Sequence, residues 1–259
     1  MNVNRFQWGL AASWAGFIFI LFVWEMIALF ELINPAVFPG PVKVAESAVK
    51  NVPLSRLLQH IGASLMRVGI GFGLGLVVGV SVGVAVGWYR NLADVLTTPI
   101  EIIRPIPPLA WIPLFIIWLG IGEASKIAII FLGAFFPIYT NTFKGMVNVD
   151  VNLIKAGQVM GLKGRRILFR VMVPATLPDI ATGMRLGWSY SFGIMVAAEL
   201  IAANSGLGYM IMHARELGLI SVIMYGVILI GTINLITDYF IQEVILKHQL
   251  RWHFQMTRR

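Results

Sequence analysis

Residues 68–89 read VGIGFGLGLVVGVSVGVAVGWY, 22 residues without a charge between Arg67 and Arg90. A helix of about 20 apolar residues spans the roughly 30 Å hydrocarbon core of a bilayer, so this run is predicted to be a transmembrane helix. Glycine occupies every fourth position from 71 to 87. Such spacing gives one helix face small residues only, which allows close packing against a neighbouring helix.

The composition extends this interpretation to the whole chain. Of its 259 residues, 58% are hydrophobic and only 12% are charged, whereas a soluble domain carries roughly 25% charged residues. A water-soluble enzyme and a disordered chain are therefore excluded as defaults. Five further apolar runs predict spans, at residues 6–24, 105–122, 127–143, 186–203 and 217–237. We expect an all-α polytopic membrane bundle of about six transmembrane helices, with the proline-broken run 105–122 the least regular.

Six spans place both termini on one side of the membrane. Of the 20 Lys and Arg residues, 13 fall in the termini and the even-numbered loops and six in the odd-numbered loops. Cytoplasmic loops carry the excess of Lys and Arg, so both termini are predicted to be cytoplasmic. This distribution, with anionic headgroups as partners, accounts for the net charge of +8 without any nucleic acid.

The spans and charges divide the chain into three parts. Residues 1–67 form an N-terminal transmembrane helix and an external loop, in which 42–49 and 54–65 are predicted short amphipathic helices. Residues 68–245 form the core, with a cytoplasmic loop at 144–185. Residues 246–259 form a basic cytoplasmic tail.

The cytoplasmic loop carries a predicted docking element. Residues 151–160 show approximately helical spacing of apolar side chains, and Gly161 is a plausible end to that helix. A second short helix is predicted at 167–172, stopped by Pro174. The unit is suited to docking a partner, and a solvated surface loop is the alternative.

Few polar groups remain inside the spans, and charged residues there usually face a cavity or a partner. Glu199 is a candidate either for a pathway or for a structural hydrogen bond to another helix. The prolines near 107 break helical structure at membrane depth, which is tolerated only inside protein or beside a cavity. The candidate translocation pathway comprises Arg104, Pro107, Pro108, Trp111, Trp188, Ser191 and Glu199.

No motif for enzymatic chemistry is recognisable. The chain has no Gly-x-x-x-x-Gly-Lys-Ser/Thr phosphate loop, so it is not expected to hydrolyse ATP. Its four histidines lack metal-ligand spacing, no Ser/His/Asp set is evident, and there is no cysteine. No catalytic or metal site is therefore predicted, and an intramembrane enzyme is disfavoured.

The cytoplasmic loop resembles that of ABC importer permeases, whose pattern is E-A-A-x3-G-x9-I-x-L-P. Here the spacing is kept from Lys155-Ala156-Gly157 through Gly161 to Val171 and Val173-Pro174, with Lys155 in place of the acid. The resemblance implies a short helix that couples the permease to an ATPase. The expected coupling residues are Val151, Leu153, Ile154, Lys155, Ala156, Gly157, Val159, Met160, Gly161 and Pro174.

Residues 64–252 also resemble the taurine, aliphatic sulfonate and nitrate branch of that family. The segments that carry this likeness are RPIPPLAWIP at 104–113, WLGIGE at 118–123, VAAELIA at 196–202, GLG at 206–208 and LRW at 250–252. Two of them, PPLAW and VAAELIAA, look closest to taurine permeases.

The resemblance implies the type I importer permease fold and import of a small anion, most simply taurine or another alkanesulfonate. Nitrate, bicarbonate or another small organic anion is the alternative. The implied partners are a cytoplasmic ATPase dimer that holds ATP and Mg, an extracytoplasmic substrate-binding protein and a second permease copy, in a bacterial inner membrane. A homodimer is the simpler expectation. A stand-alone channel or carrier is a competing class, but no internal repeat supports it.

Overall fold

The computed structural model describes the backbone of residues 3–241 and the side chains of residues 15–241, Ala202 apart. Within that range the chain is all-α, as predicted. The helices are α1 Val3–Leu29, α2 Pro41–Asn51, α3 Leu54–Trp88, α4 Arg90–Ile103, α5 Ile112–Leu119, α6 Glu123–Val147, α7 Val151–Val159, α8 Arg165–Ile167, α9 Val173–Ala202, α10 Leu207–Glu216 and α11 Ile220–Phe240. The predicted tail, 246–259, lies outside the described residues.

Four helical stretches within the described residues are long and apolar enough to cross a membrane. They are α3, α6, α11 and the continuous stretch Arg165–Ile201, which contains α8 and α9. The predicted span at 105–122 is instead the second half of a bent pair, in which Arg90–Ile103 and Pro108–Leu119 meet at 89°. The predicted span at 6–24 falls in α1. The part of α1 whose side chains are described, Ala15–Leu29, is apolar but shorter than the four helical stretches above. The bundle of several spans is thus confirmed, with a sharp break where the prolines lie.

The glycine face of α3 packs directly on α6. The two helices run parallel, because successive glycines oppose residues that also rise by four along α6. The pairs are Gly71 with Ile130, Gly75 with Ala134, Gly79 with Ile138, Gly83 with Thr142 and Gly87 with Met146. Small residues over five helical turns let the two backbones approach closely, as the spacing predicts.

Helix α9 also packs against α6 and runs antiparallel to it. Gly145, near the end of α6, lies against Thr176, and Gly133, nearer its start, lies against Ile194. Side chains from α3, α5, α6 and α9 then form a shared core. Its buried members include Val68, Ile112, Ile129, Ile130, Phe192 and Met195.

Two sequence expectations about helix boundaries are wrong. Residues 54–65 do not form a separate short helix, because they are the first turns of the 35-residue helix α3. Pro174 does not stop the helix before it, because it lies in the first turn of α9, where its missing N–H is not needed. A wider π-helical turn, Leu168–Met172, joins α8 to α9 and keeps the stretch continuous.

The glycine face predicts that alanine substitutions at two nearby positions of α3, Gly75 and Gly73, change the stability of the protein in opposite directions. A methyl group at Gly75 would lie 2.5 Å from the Cβ of Ala134, whereas one at Gly73 would meet nothing within 4 Å. Gly75→Ala should destabilise the protein by about 1–3 kcal/mol through overpacking. Gly73→Ala should be neutral or stabilising by up to about 1 kcal/mol, because alanine is the better helix former. Thermal unfolding in detergent distinguishes the two, and equal shifts would contradict the packing described.

Candidate functional site

A buried arginine, Arg67 of α3, lies at the end of the bundle where α6 begins and α9 ends; this is called the α10 end below. Its Nε and Nη2 atoms donate to Glu123 at 2.6 and 2.8 Å, and Nη1 donates to Glu199 at 2.6 Å. Nη1 and Nη2 also donate to the carbonyl and hydroxyl oxygens of Ser205 at 2.7 and 2.9 Å. A guanidinium has five N–H donors, and here each one has an acceptor. The charge is therefore compensated although Arg67 is only 2% exposed.

Glu199 of α9 is the anionic partner inside the bundle and is 1% exposed. Besides Arg67, it accepts a hydrogen bond from the amide of Gly208 at 2.9 Å, and Ser64 Oγ lies 2.8 and 2.9 Å from its two oxygens. A buried carboxylate is stable only when it is paired and hydrogen-bonded. This placement matches the structural role considered for Glu199 more closely than a position on an open pathway.

The first turn of α10 is held by the same groups. The amides of residues 206–208 donate in order to His60 Nδ1 at 3.1 Å, Ser64 Oγ at 2.9 Å and Glu199 Oε2 at 2.9 Å. The first amides of a helix have no acceptor within the helix, so these side chains from α3 and α9 complete them. The carboxylate also lies at the positive end of the helix dipole.

Glycine is required where α10 begins. Gly206 has φ +119°, and a Cβ there would collide with the Glu199 carboxylate. A Cβ at Gly208 would lie 2.6 Å from the carbonyl oxygen of Val196. The GLG segment at 206–208 thus has a physical reason, which is the close approach of this turn to Glu199.

The cluster contains two cations, Arg67 and Lys126, and two carboxylates, Glu123 and Glu199, so its formal charges sum to zero. Its charged member at the surface is Glu123. Lys126 is buried and donates to Glu123 at 2.9 Å, and the Glu123 side chain is 47% exposed. Sequence reasoning placed Arg67 and Lys126 in loops and missed the cluster. The sequence did hold one signal for the cluster. In a chain that crosses the membrane repeatedly, the starts of the second and fourth spans and the end of the fifth lie on the same side of the membrane, and each of these three places carries a charged residue.

The other predicted pathway residues occupy two separate regions. Trp188 and Ser191 lie in the core on α9, the helix that also carries Glu199. Trp188 Nε1 donates to Thr237 Oγ1 at 3.1 Å, and the Trp188 ring meets the Phe72 ring edge-on, with the ring centroids 5.1 Å apart. Ser191 is fully buried, and its Oγ has no hydrogen-bond partner within the described residues.

The second region is the bend between α4 and α5. Arg104 and Pro107 are exposed there, while Pro108 and Trp111 are half-buried. Trp111 lines an apolar groove of about 350 Å³ between α3, α4, α5 and α6, whose lining includes none of the other predicted pathway residues. A single chain therefore does not bring the seven residues into one cavity.

At the opposite end of the bundle, here called the α7 end, α7 presents an exposed apolar surface. This α7 surface comprises Val151, Leu153, Val159 and Met160, the last two being 90% and 82% exposed. Lys155 and Ala156 are exposed as well, whereas Ile154 is half-buried and Pro174 is half-buried in the first turn of α9. Gly157 is buried, with a Cβ position only 3.1 Å from Val171 Cγ2.

Both ends of this nine-residue helix are capped by local hydrogen bonds. Asp150 Oδ1 accepts from the amide of Asn152 at 2.8 Å, and Gly161 adopts φ +83°. The amides of Gly161 and Leu162 donate back to Gln158 and Gly157 at 2.9 and 3.0 Å. That pair of bonds is the Schellman arrangement, which satisfies the last carbonyls of a helix, as expected for Gly161 at this position. The α7 surface is thus carried by a well-defined helix.

The fold is that of a type I ABC importer permease. A crystal structure titled as inward-facing conformations of the MetNI methionine ABC transporter superposes with a TM-score of 0.59 at 22% identity, covering 73% of this chain and 96% of that one. Residues 73–247 match the family described as binding-protein-dependent transport system inner membrane component, and the chain belongs to that family.

Relatives that match over most of the chain include two named for sulfonates. The taurine transport system permease protein TauC of Escherichia coli K12 is 35% identical over 240 residues, covering 90% of this chain and 86% of TauC. SsuC of Bacillus subtilis 168, described as an aliphatic sulfonates transport permease protein, is 34% identical over 233 residues, covering 90% and 84%. The chain is accordingly a multi-pass permease subunit, a transport component and not an enzyme. Its family implies an ATPase and a substrate-binding protein as partners.

The buried cluster predicts that Arg67 matters far more for stability than an exposed arginine of the same helix. Arg67→Met leaves Glu199 buried without a cation and should destabilise the protein by about 3–5 kcal/mol. Arg56→Met, at an exposed position of α3, is the matched control and should stay within about 0.5 kcal/mol of wild type. Glu199→Gln should be milder than Arg67→Met, since Arg67 keeps Glu123. Thermal unfolding in detergent ranks the three variants, and equal effects of the two arginine substitutions would rule out this account.

Proposed function

We propose that this chain forms the translocation pathway of an ATP-driven importer for a small anion, with taurine or another alkanesulfonate as the solute. In this proposal the chain works as a homodimer with both termini in the cytoplasm. A separate ATPase dimer holds the ATP and Mg and docks on the α7 surface. The observation that carries the proposal is that surface: a capped helix outside the apolar spans that exposes apolar side chains.

The position of α7 supports a docking role over a solvated loop. Val159 and Met160 project from the bundle, while Ile154 and Gly157 anchor the helix on the cluster formed by Met146, Ile167 and Leu168. Exposed apolar residues rimmed by polar ones mark protein interaction sites. Lys155 and Lys163, both exposed, supply that rim.

The orientation is supported by the way charges are neutralised at the two ends. At the α10 end, Arg67 and Lys126 are paired with carboxylates inside the protein, so they do not count as free cations of an external loop. The cations around α7 form no ion pair within residues 15–241. The contrast favours a cytoplasmic α7 end by the positive-inside rule.

The solute class is supported by the relatives and by one exposed cation. TauC and SsuC are named for taurine and aliphatic sulfonates. Arg104, exposed at the bend between α4 and α5, could offset the charge of an anion near the pathway. The proposed pathway residues are Arg104, Pro107, Pro108, Trp111, Trp188 and Ser191. Glu199 is not among them, because it is buried and paired with Arg67. Nitrate, bicarbonate or another small organic anion is the alternative solute.

Docking is tested by a charge placed on the α7 surface. Val159→Asp would bury a carboxylate in an apolar interface and should reduce ATPase co-purification at least about ten-fold, because an unpaired buried charge is strongly unfavourable. Val49→Asp introduces the same change at a residue of α2 that is 86% exposed, and should have no effect. Both variants should insert into the membrane like wild type. Full retention of the ATPase by Val159→Asp would argue against docking at α7.

The solute is tested by reconstitution into liposomes with the partner ATPase and the substrate-binding protein. Taurine and other alkanesulfonates should stimulate ATP hydrolysis and accumulate inside, whereas the permease alone should move nothing. Stimulation by nitrate or bicarbonate but not by any sulfonate would favour the alternative solute. Arg104→Ala should weaken the apparent affinity at least about ten-fold, as expected for a lost charge-assisted contact. Arg56→Ala serves as the control, and an unchanged Arg104→Ala variant would remove Arg104 from the pathway.

A further inference from the structure

A groove at the α7 end takes no part in the proposed transport function. It has a volume of about 420 Å³ and lies between the last turns of α3 and the start of the Arg165–Ile201 stretch. One wall is formed by Val80, Val84 and Ala85, and the other by Leu168, Phe169 and Val173. Phe169 is exposed although it is aromatic and adjoins a buried cluster. The interior of the groove is therefore suited to an apolar chain.

The depth of the groove corresponds to one leaflet of a bilayer. From Val80 to Tyr89, the two ends of its α3 wall, the helix rises by about 13.5 Å at about 1.5 Å per residue. That is close to half of the roughly 30 Å hydrocarbon core. An extended acyl chain that enters at the membrane surface would thus reach about to the bilayer midplane.

The end of the groove at the membrane surface is cationic. Tyr89 and Arg165 line it there, and Arg90, Arg166 and Arg170 are exposed close by in sequence. Within residues 15–241 none of these four arginines forms an ion pair. The segment 151–178 contains no acidic residue at all. The apolar groove therefore ends in cations that no carboxylate pairs with in the described part of the chain.

We propose that this groove binds one anionic phospholipid of the cytoplasmic leaflet, with an acyl chain between α3 and the Leu168–Met172 turn and its phosphate at Arg165 and the Tyr89 hydroxyl. The leaflet rests on the orientation proposed above. The groove favours a lipid over a segment of the ATPase, because its walls extend inward along the transmembrane part of α3. The bound lipid would contact the turn that connects α7 to α9.

Native mass spectrometry of the purified full-length permease, without ATPase or solute, tests the site with two probes that share dioleoyl chains. Phosphatidylglycerol should be retained about five-fold more than phosphatidylcholine, since one arginine near an anionic headgroup contributes about that factor. Arg165→Gln should abolish the preference, whereas Arg215→Gln, at an exposed residue of α10, should keep it. Ala85→Phe should fill the groove and lower binding of both lipids, whereas Val77→Phe, exposed on the same helix outside the groove, should not.

Four results would overturn the proposal. Equal retention of the two lipids, or an unchanged preference in Arg165→Gln, would show that Arg165 does not select the headgroup. Displacement of phosphatidylglycerol by equimolar glycerol phosphate would indicate a phosphate site without an acyl chain. Loss of ATPase co-purification in Arg165→Gln with lipid binding intact would assign Arg165 to the ATPase. A failure of the transport proposal would leave the lipid measurements unchanged, so the two failures are distinguishable.

Discussion

A guanidinium withdrawn from water must find protein acceptors for all of its N–H groups, and Arg67 of α3 does so only because two other helices and one loop converge on it. Glu123 comes from the first residue of α6, Glu199 from the end of α9 and Ser205 from the turn before α10. Each acceptor fixes the position of its own element relative to α3. Removing the arginine would therefore leave Glu199 buried without a cation and would also take away the two donors that hold Ser205, in the turn before α10.

The two ends of the bundle differ in whether their charged groups are paired inside the protein. At the α10 end, opposite charges and helix-terminal amides satisfy one another inside the protein. At the α7 end, apolar side chains and cations remain available for other molecules. The parallel pair α3 and α6 connects the two ends, and its glycine contacts keep the two helix backbones close together along five turns.

The spans, the α7 helix and the glycine face could be predicted because each depends on local sequence: apolar length, helical spacing and residue size. The partners of Arg67 could not, since they lie 56 and 132 residues away in the chain. A charge next to an apolar run suggests a membrane boundary, but it carries no information that the protein itself supplies counter-charges for Arg67 and Lys126. Prolines indicated irregular structure near residue 107 but carried no information on the 89° bend. The seven pathway residues were grouped as polar groups or helix-breaking positions inside predicted spans, and neither property says which of them share a cavity.

The wide turn at Leu168–Met172 holds one residue more than an α-helical turn would. Because each residue of an α-helix turns the chain by about 100°, this insertion sets the phase between α8 and α9. If this wide turn became a regular α-helical turn, the segment that carries α7 would rotate by about 100° around the axis of α9. The extra residue therefore fixes the rotational position of the segment that carries the α7 surface relative to helix α9.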